Sequence, residues 1–305
     1  MTEYLTLIIT LFGLGVGSFI NVIVSRFQPE ISFKFKQLVS GRSRCPFCRH
    51  QLTWRDLIPI FSFIFLKRRC RYCGEKISWQ YPIIEALTAL IFFGIAYRFW
   101  HLESIRLVIV SGFIPFWVWL ALVVFLFYAA ILIILSVIDI KYYLLPDKFI
   151  LMAGAGALVV DLLFYRISIL KNSNFPTCGL NFLSSYINYF NCHFNIIVSY
   201  LLGALVIGGF LFLIYIITKG RGMGFGDVKL GILIGLMLGL TNASMALISA
   251  FIIGSIIGII LLVLKKKNLK SWIPFGPFLA SGVFITIFFG SILVESYLSI
   301  FNYLP

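Results

Sequence analysis

Four cysteines stand in two pairs, Cys45-Pro46-Phe47-Cys48 and Cys70-Arg71-Tyr72-Cys73, with 21 residues between the pairs. Each C-x2-C can place two sulfurs on one side of a tight turn. Two such knuckles can close a tetrahedral zinc site. Arg44, Arg49, Arg69 and Arg71 flank the sulfurs and would help hold them as thiolates. Four thiolates leave no open coordination position, so a zinc held by Cys45, Cys48, Cys70 and Cys73 would be structural rather than catalytic. The plainer reading is four unremarkable thiols in a flexible loop.

Acidic side chains are scarce, 11 in 305 residues, and two have surroundings suited to chemistry. Asp139 closes a long apolar run, and Asp227 lies in Gly222-Met223-Gly224-Phe225-Gly226-Asp227-Val228-Lys229-Leu230. A carboxylate at the edge of an apolar run is costly, which makes each a functional-site candidate. Two carboxylates brought together at low dielectric cannot both ionise easily. One could then take a proton from water while the other, protonated, polarises a peptide carbonyl, which is aspartic-protease chemistry. Gly224 and Gly226 would open backbone shapes closed to other residues and let an extended substrate strand approach. Lys229 would either offset charge on Asp227 or mark a membrane boundary. The bland alternatives stand beside this: Asp139 as a helix-end residue reaching water, and Asp227 as the N-cap of a following helix. Asp147, after Pro146, reads as an N-cap.

The elements that must position these groups are membrane spans. The chain is 61% hydrophobic and only 12% charged, with a mean hydropathy of +1.02. Soluble domains carry about twice that charge, so a soluble globular domain, a disordered chain and a disulfide-stapled secreted domain are excluded. Long apolar runs cover residues 5–24, 82–97, 107–138, 149–163, 196–217, 230–240, 243–264 and 275–294. With the N-terminus outside and one crossing per run, 21 of the 25 Lys and Arg fall on the inner side. Splitting 107–138 in two would destroy that bias, so it reads as one crossing with a kink near Pro115. The net charge of +14 therefore points to a membrane surface, not to nucleic acid.

The expectation is an all-α polytopic membrane protein of about eight transmembrane helices with both termini extracytoplasmic. It divides into a first helix (1–25), a cytoplasmic basic four-cysteine zinc domain (26–80) and a membrane core (81–305) with an extracytoplasmic insert at about 166–195. The first span has Glu3 before it and Arg26 after it, so it reads as an uncleaved anchor. Cys178 and Cys192 lie in the insert and could pair or stay apart. Gly13-Leu14-Gly15-Val16-Gly17 suggests helix packing rather than a nucleotide loop, because no strand precedes it. His50, His101 and His193 have no ligand spacing and read as surface residues.

In the order and placement of its motifs the chain resembles the type IV prepilin peptidases, which belong to the GxGD-type aspartic peptidases. The resemblance rests on Gly17-Ser18-Phe19-Ile20-Asn21-Val22 with Arg26, on the paired C-x2-C knuckles, and on Trp79-Gln80-Tyr81-Pro82-Ile83-Ile84-Glu85. It continues through Asp139 with Leu144-Leu145-Pro146-Asp147 to Met223-Gly224-Phe225-Gly226-Asp227-Val228-Lys229-Leu230, and so spans nearly the whole chain. It implies that Asp139 and Asp227 are the catalytic pair, supported by Gly224, Gly226 and Lys229. It implies cleavage of the short basic leader of type IV prepilins and pseudopilins at the cytoplasmic face of a bacterial inner membrane, in pilus assembly and type II secretion. It also implies methylation of the new N-terminal amine with S-adenosylmethionine. Relatives without the knuckles generally lack that second activity, so their presence favours both.

Asn21, Arg26 and Glu85, polar groups at the inner boundary, could line the methyl-donor pocket or simply anchor helices. Lys141 stands where relatives often carry an acid, and the 166–195 segment is longer than the family pattern implies. The alternatives are a peptidase without methyltransferase activity, a presenilin-like intramembrane protease, and a proton- or cation-coupled transporter. The presenilin reading shares Gly-x-Gly-Asp but not the knuckles, and the transporter reading predicts an inverted repeat that the sequence does not display. A homodimer is allowed, but nothing in the sequence requires one.

Overall fold

The computed structural model describes residues 2–29, 41–101, 116–170, 196–265 and 272–300. Among these the chain forms eight α-helices and no strand beyond two isolated bridges. They are α1 (Thr2–Arg26), the short α2 (Phe61–Phe65), α3 (Gln80–Trp100), α4 (Phe116–Tyr142), α5 (Asp147–Leu170), α6 (Ile196–Ile217), α7 (Phe225–Val263) and α8 (Gly276–Ile300). A 3-10 turn at Trp54–Leu57 precedes α2. Among the described residues, six of these helices (α1, α3, α4, α6, α7 and α8) are long and apolar enough to cross a membrane. Helices suit that setting because every backbone hydrogen bond closes within the segment.

The chain divides into two compact units. The first holds α1, the cysteine segment, α3 and most of α4, and the second begins at Ile138. In the first, α1 lies directly on α3. A Cβ at Gly13 would come 2.9 Å from Phe92 Cβ, and one at Gly17 would come 2.7 Å from Glu85 Cα. These two glycines therefore let the backbones close together, the small-residue packing expected where lipid offers no hydrophobic drive.

In the second unit, α7 is too long to be one straight crossing. Its 39 residues would reach about 58 Å at 1.5 Å per residue, against about 30 Å of hydrocarbon. It breaks at Gly239, whose φ of 73° and ψ of 173° are non-helical. Gly203 of α6 sits at the break, where an added Cβ would meet Gly235 O at 2.8 Å and Leu240 N at 2.9 Å. Further along α6, Phe210 meets Phe251 of the second arm at 6.1 Å and Tyr215 meets Phe225 of the first at 5.6 Å. Both arms thus run away from the break beside the same stretch of α6, so the chain reverses at Gly239. The two arms correspond to the separate runs 230–240 and 243–264. The second arm then lies on α8, with Gly282 against the Ala246 carbonyl.

The run 107–138 reads as one crossing, and its described part is a single unbroken helix from Phe116. Pro115, Cys178, Cys192, His193 and most of the 166–195 insert lie outside the described residues.

Candidate active site and metal centre

Asp139 lies in the last turn of α4 and is buried. The helix ends at Tyr142 because Tyr143 turns left-handed, with φ 55°, and returns its N–H to the Asp139 carbonyl at 2.9 Å. The Asp139 carboxylate accepts a hydrogen bond at Oδ2 from the Gly276 main-chain N–H, 3.0 Å away, at the start of α8. A helix N-terminus offers unpaired N–H groups and a positive dipole end, which suits a carboxylate.

Asp227 is buried in the first turn of α7. It is not the N-cap. Gly224 holds that position and Asp227 stands three residues on, because its own N–H donates to the Gly224 carbonyl at 3.1 Å and its Oδ2 accepts the Gly224 N–H at 3.2 Å. The side chain thus closes the turn that glycine starts. Asp139 and Asp227, 88 residues apart in sequence, come within electrostatic reach of one another in the second unit. In each carboxylate the hydrogen bonds found among the described residues engage Oδ2 only.

Two further contacts brace this pair. Leu145, in the loop after α4, lies against both neighbouring glycines. An added Cβ at Gly226 would meet Leu145 Cβ at 3.1 Å, and one at Gly276 would meet Leu145 Cδ2 at 3.5 Å. Lys229, two residues beyond Asp227, donates to Asp147 Oδ1 at 2.6 Å. Its ammonium is thus committed to Asp147, not to Asp227. Asp147 is the first residue of α5, and its carboxylate serves the ion pair rather than a cap.

The cysteines form two superimposable turns. Cys45 N–H donates to His50 O and Arg49 N–H to Cys45 O, at 3.0 and 2.9 Å; Cys70 N–H donates to Glu75 O and Gly74 N–H to Cys70 O, at 2.8 and 2.9 Å. The residue after each pair, Arg49 or Gly74, is left-handed, with φ 59° and 73°. All four Sγ atoms lie within 4.8 Å of one another, and Cys45 and Cys73 Sγ are 3.9 Å apart. A tetrahedron with Zn–S bonds of about 2.3 Å has edges of about 3.8 Å, so the cluster has the dimensions of a four-thiolate metal site. Cys70 is buried, which alone would raise its thiol, but the N–H groups of Cys73 and Tyr72 and the neighbouring thiols pull it down to about 7. The Glu75 N–H pulls Cys73 down, yet burial and the other three thiols outweigh it and push Cys73 up to about 12. Four thiols this close cannot all give up protons unless a cation is present. Asp56 ties the 3-10 turn to the second knuckle through Arg71 Nε at 3.0 Å and the Tyr72 hydroxyl at 3.2 Å.

The three polar residues at the inner boundary are in the first unit. Asn21 donates from Nδ2 to the Tyr81 carbonyl at 3.0 Å, while its buried Oδ1 has no partner among the described residues. Arg26 donates to Gly41 O at 2.9 Å. Glu85 accepts the Ile60 N–H at 2.7 Å and a hydrogen bond from Ser18. Glu85 and Arg26 thus bind the cysteine segment to the helix pair. Sequence reasoning missed Gly276, the packing of Leu145 against Gly226 and Gly276, and the Lys229–Asp147 pair. The one available signal for Gly276 was Pro277, a residue favoured in the first turn of a helix.

Residues 11–99 match the model of the bacterial peptidase A24 N-terminal domain, and residues 126–263 match the type IV leader peptidase family. The prepilin leader peptidase/N-methyltransferase of Bacillus subtilis (strain 168) is 31% identical over 293 residues, covering 95% of this chain and 97% of the relative. The chain belongs to the type IV leader peptidase family. Two other relatives of the same description agree over nearly full length. That of Aeromonas salmonicida (strain A449) is 29% identical, covering 96% of this chain and 93% of the relative. That of Pseudomonas aeruginosa is 27% identical, covering 94% and 91%. No solved structure matches the chain. The leader peptidase match takes in Asp139, Asp227 and the loop between α4 and α5, while the N-terminal match takes in the cysteine cluster with Asn21 and Glu85.

Proposed function

We propose that this leader peptidase cuts the basic leader from type IV prepilins and pseudopilins at the cytoplasmic face of a bacterial inner membrane, and then methylates the new N-terminal amine. The observation that carries the reading is the pairing of Asp139 and Asp227. Two buried carboxylates from distant parts of the chain come within reach of each other, each steadied by a main-chain N–H.

With one proton shared between them, the ionised member takes a proton from water as the oxygen adds to the scissile carbonyl. The protonated member gives its hydrogen bond, then its proton, to the carbonyl oxygen. As the C–N bond breaks, one hydroxyl of the tetrahedral diol returns its proton to the pair and becomes the new carbonyl, the leaving amine takes a proton from the pair, and the pair ends with the single proton it began with. The substrate peptide must be extended for this, because a helical peptide bond is shielded. Gly224 leaves room for such a strand beside Asp227, where an added Cβ would meet nothing closer than Asp227 Oδ2 at 3.6 Å, whereas the space at Gly226 is taken by Leu145. The Gly276 N–H fixes the position of the Asp139 carboxylate, so one reacting group is aligned before substrate arrives.

The charge bias of the loops supports an orientation with Asp139, Asp227 and the cysteine domain (26–80) on the cytoplasmic side and both termini outside. Zinc suits the four thiolates in size and softness, and its role would be to fold a segment too small to build its own core. S-adenosylmethionine would supply an electrophilic methyl group to the deprotonated amine. Among Asn21, Arg26 and Glu85, the hydrogen bonds of Arg26 and Glu85 tie the cysteine segment to the helices, whereas Asn21 Oδ1 is buried and accepts nothing among the described residues. Asn21 is therefore the strongest candidate to face the donor. The test is incubation of the purified protein with a prepilin, with and without S-adenosylmethionine, read by mass. Leader loss in both reactions and an added methyl in only one is expected. No leader loss would overturn the reading.

A further inference from the structure

Outside the spans, the cysteine segment carries a run of apolar side chains left exposed among the described residues: Leu57, Ile58, Phe61, Ile64 and Phe65, the last to 80%. On α2, at 100° per residue, Phe61, Ile64 and Phe65 share one face. Phe63 points the opposite way and is buried against Trp79, with ring centroids 5.0 Å apart. The element is therefore two-sided, with one face packed on the protein and the other presented outward.

Its depth is set by Glu85. Ile60 precedes α2 at the centre of a tight γ-turn, with φ 61° and ψ −51°, and its N–H is held by Glu85 Oε2 at 2.7 Å. Glu85 is the sixth residue of α3, about 7.5 Å along the helix axis, and its side chain leans back toward the helix start. Residues 57–65 therefore lie beside the first two turns of a membrane-spanning helix, not beyond its end. Their outward apolar face stands at the depth where interfacial helices lie, about 5–10 Å into the boundary between headgroups and acyl chains. At both ends the element is flanked by exposed cations, Arg55 before it and Lys67, Arg68 and Arg69 after it. Trp54, also exposed, is a residue type favoured at that level.

We propose that residues 57–65 form an interfacial element that inserts Phe61, Ile64 and Phe65 into the adjacent leaflet, with the flanking arginines and lysines on acidic headgroups, and so seats the cysteine module on the membrane. Charge and depth favour lipid over a protein occupant: four cations suit acidic headgroups, and the face lies beside the spans. Only the membrane-spanning character of α1 and α3 is needed for this, not the reaction.

The test uses the full chain in nanodiscs of phosphatidylglycerol or phosphatidylcholine whose acyl chains are brominated close to the headgroups. Phe65→Trp adds an indole, read as the difference from wild type, and retained wild-type cysteine-bound metal and leader cleavage show that the variant is folded. Ile64→Trp is the second probe should Phe65→Trp fail that check. The bromolipid should quench the added emission at least about twofold while aqueous acrylamide quenches it little. Quenching should be stronger in phosphatidylglycerol. Acrylamide quenching without bromolipid quenching would show a face in water, and protection from both would show a face covered by protein; either overturns the proposal. Equal bromolipid quenching in the two lipids would overturn the assignment of the cations to acidic headgroups.

Discussion

The main-chain N–H of Gly276 donates to Asp139 Oδ2 over 3.0 Å, and an added Cβ at Gly276 would stand only 2.6 Å from that same oxygen. The start of α8 is thus shaped around one carboxylate. Gly276→Ala should push the Asp139 side chain away from its donor. A misplacement of about 1 Å in a catalytic group can lower turnover about 100-fold. We expect kcat for leader cleavage to fall by about that factor, with KM and membrane insertion little changed. Wild-type kcat in the alanine variant would show that this contact does not position the carboxylate.

The Lys229–Asp147 pair joins the first arm of α7 to α5, but it is partly solvated, with side chains 33% and 60% exposed. Exposed pairs contribute about 0–1 kcal/mol. Lys229→Ala should therefore lower thermal stability only slightly and cleavage by no more than about fivefold, within that energy. A double-mutant cycle with Asp147→Ala measures the coupling. A loss as large as that of an active-site aspartate would give Lys229 a chemical role.

The cysteine cluster should bind one zinc per chain. Cys45→Ser or Cys70→Ser removes a buried ligand and should abolish that stoichiometry, with loss of the protease resistance of the segment. Thiolates bind the metal and thiols do not. Because Cys70 sits at about 7, below its ordinary value, its ionised form is favoured above that pH and lost as pH falls through it. Zinc release to a competing chelator should accordingly rise on acidification from pH 8 to pH 6, by roughly tenfold or more for one competing proton. Release independent of pH, or protein purified without chelator and free of metal, would contradict a thiolate site.

Asn21→Ala should separate the two reactions. Cleavage should persist, while mass spectrometry of the product shows loss of the added methyl. Arg26→Gln and Glu85→Gln should instead loosen the cysteine segment, read as faster proteolysis of that segment, because their hydrogen bonds reach Gly41 and Ile60. Full methylation by the Asn21 variant would remove Asn21 from the donor site.

Much of this was legible in the sequence because membrane helices announce themselves by apolar length and loop charge. The cysteine knuckles did so by spacing, and their paired turns follow directly from C-x2-C. Asp227 was recognisable from the glycines before it, yet its exact place in the turn was not: Asp is a common N-cap, and only the Gly224 contacts show that it closes the turn from the third helical residue. Lys229 read as an offset to the charge of Asp227 or as a boundary residue, and its pairing with Asp147 depends on how α5 meets α7. For Gly276 the sequence offered only the helix start marked by Pro277, because a main-chain donor leaves no side-chain signature; its meaning appears only when α8 delivers it to Asp139. The interfacial face of residues 57–65 looked like ordinary loop until Glu85 fixed its depth.

The central claim is that Asp139 and Asp227 act as one catalytic unit. It is tested most directly by incubating purified Asp139→Asn and Asp227→Asn proteins, each confirmed folded in membranes by retained cysteine-bound metal, with a prepilin and following leader release by mass. Each substitution alone should reduce cleavage to background, since a single carboxylate can neither share the proton nor exchange roles. Cleavage at a substantial fraction of the wild-type rate by either variant would contradict the account.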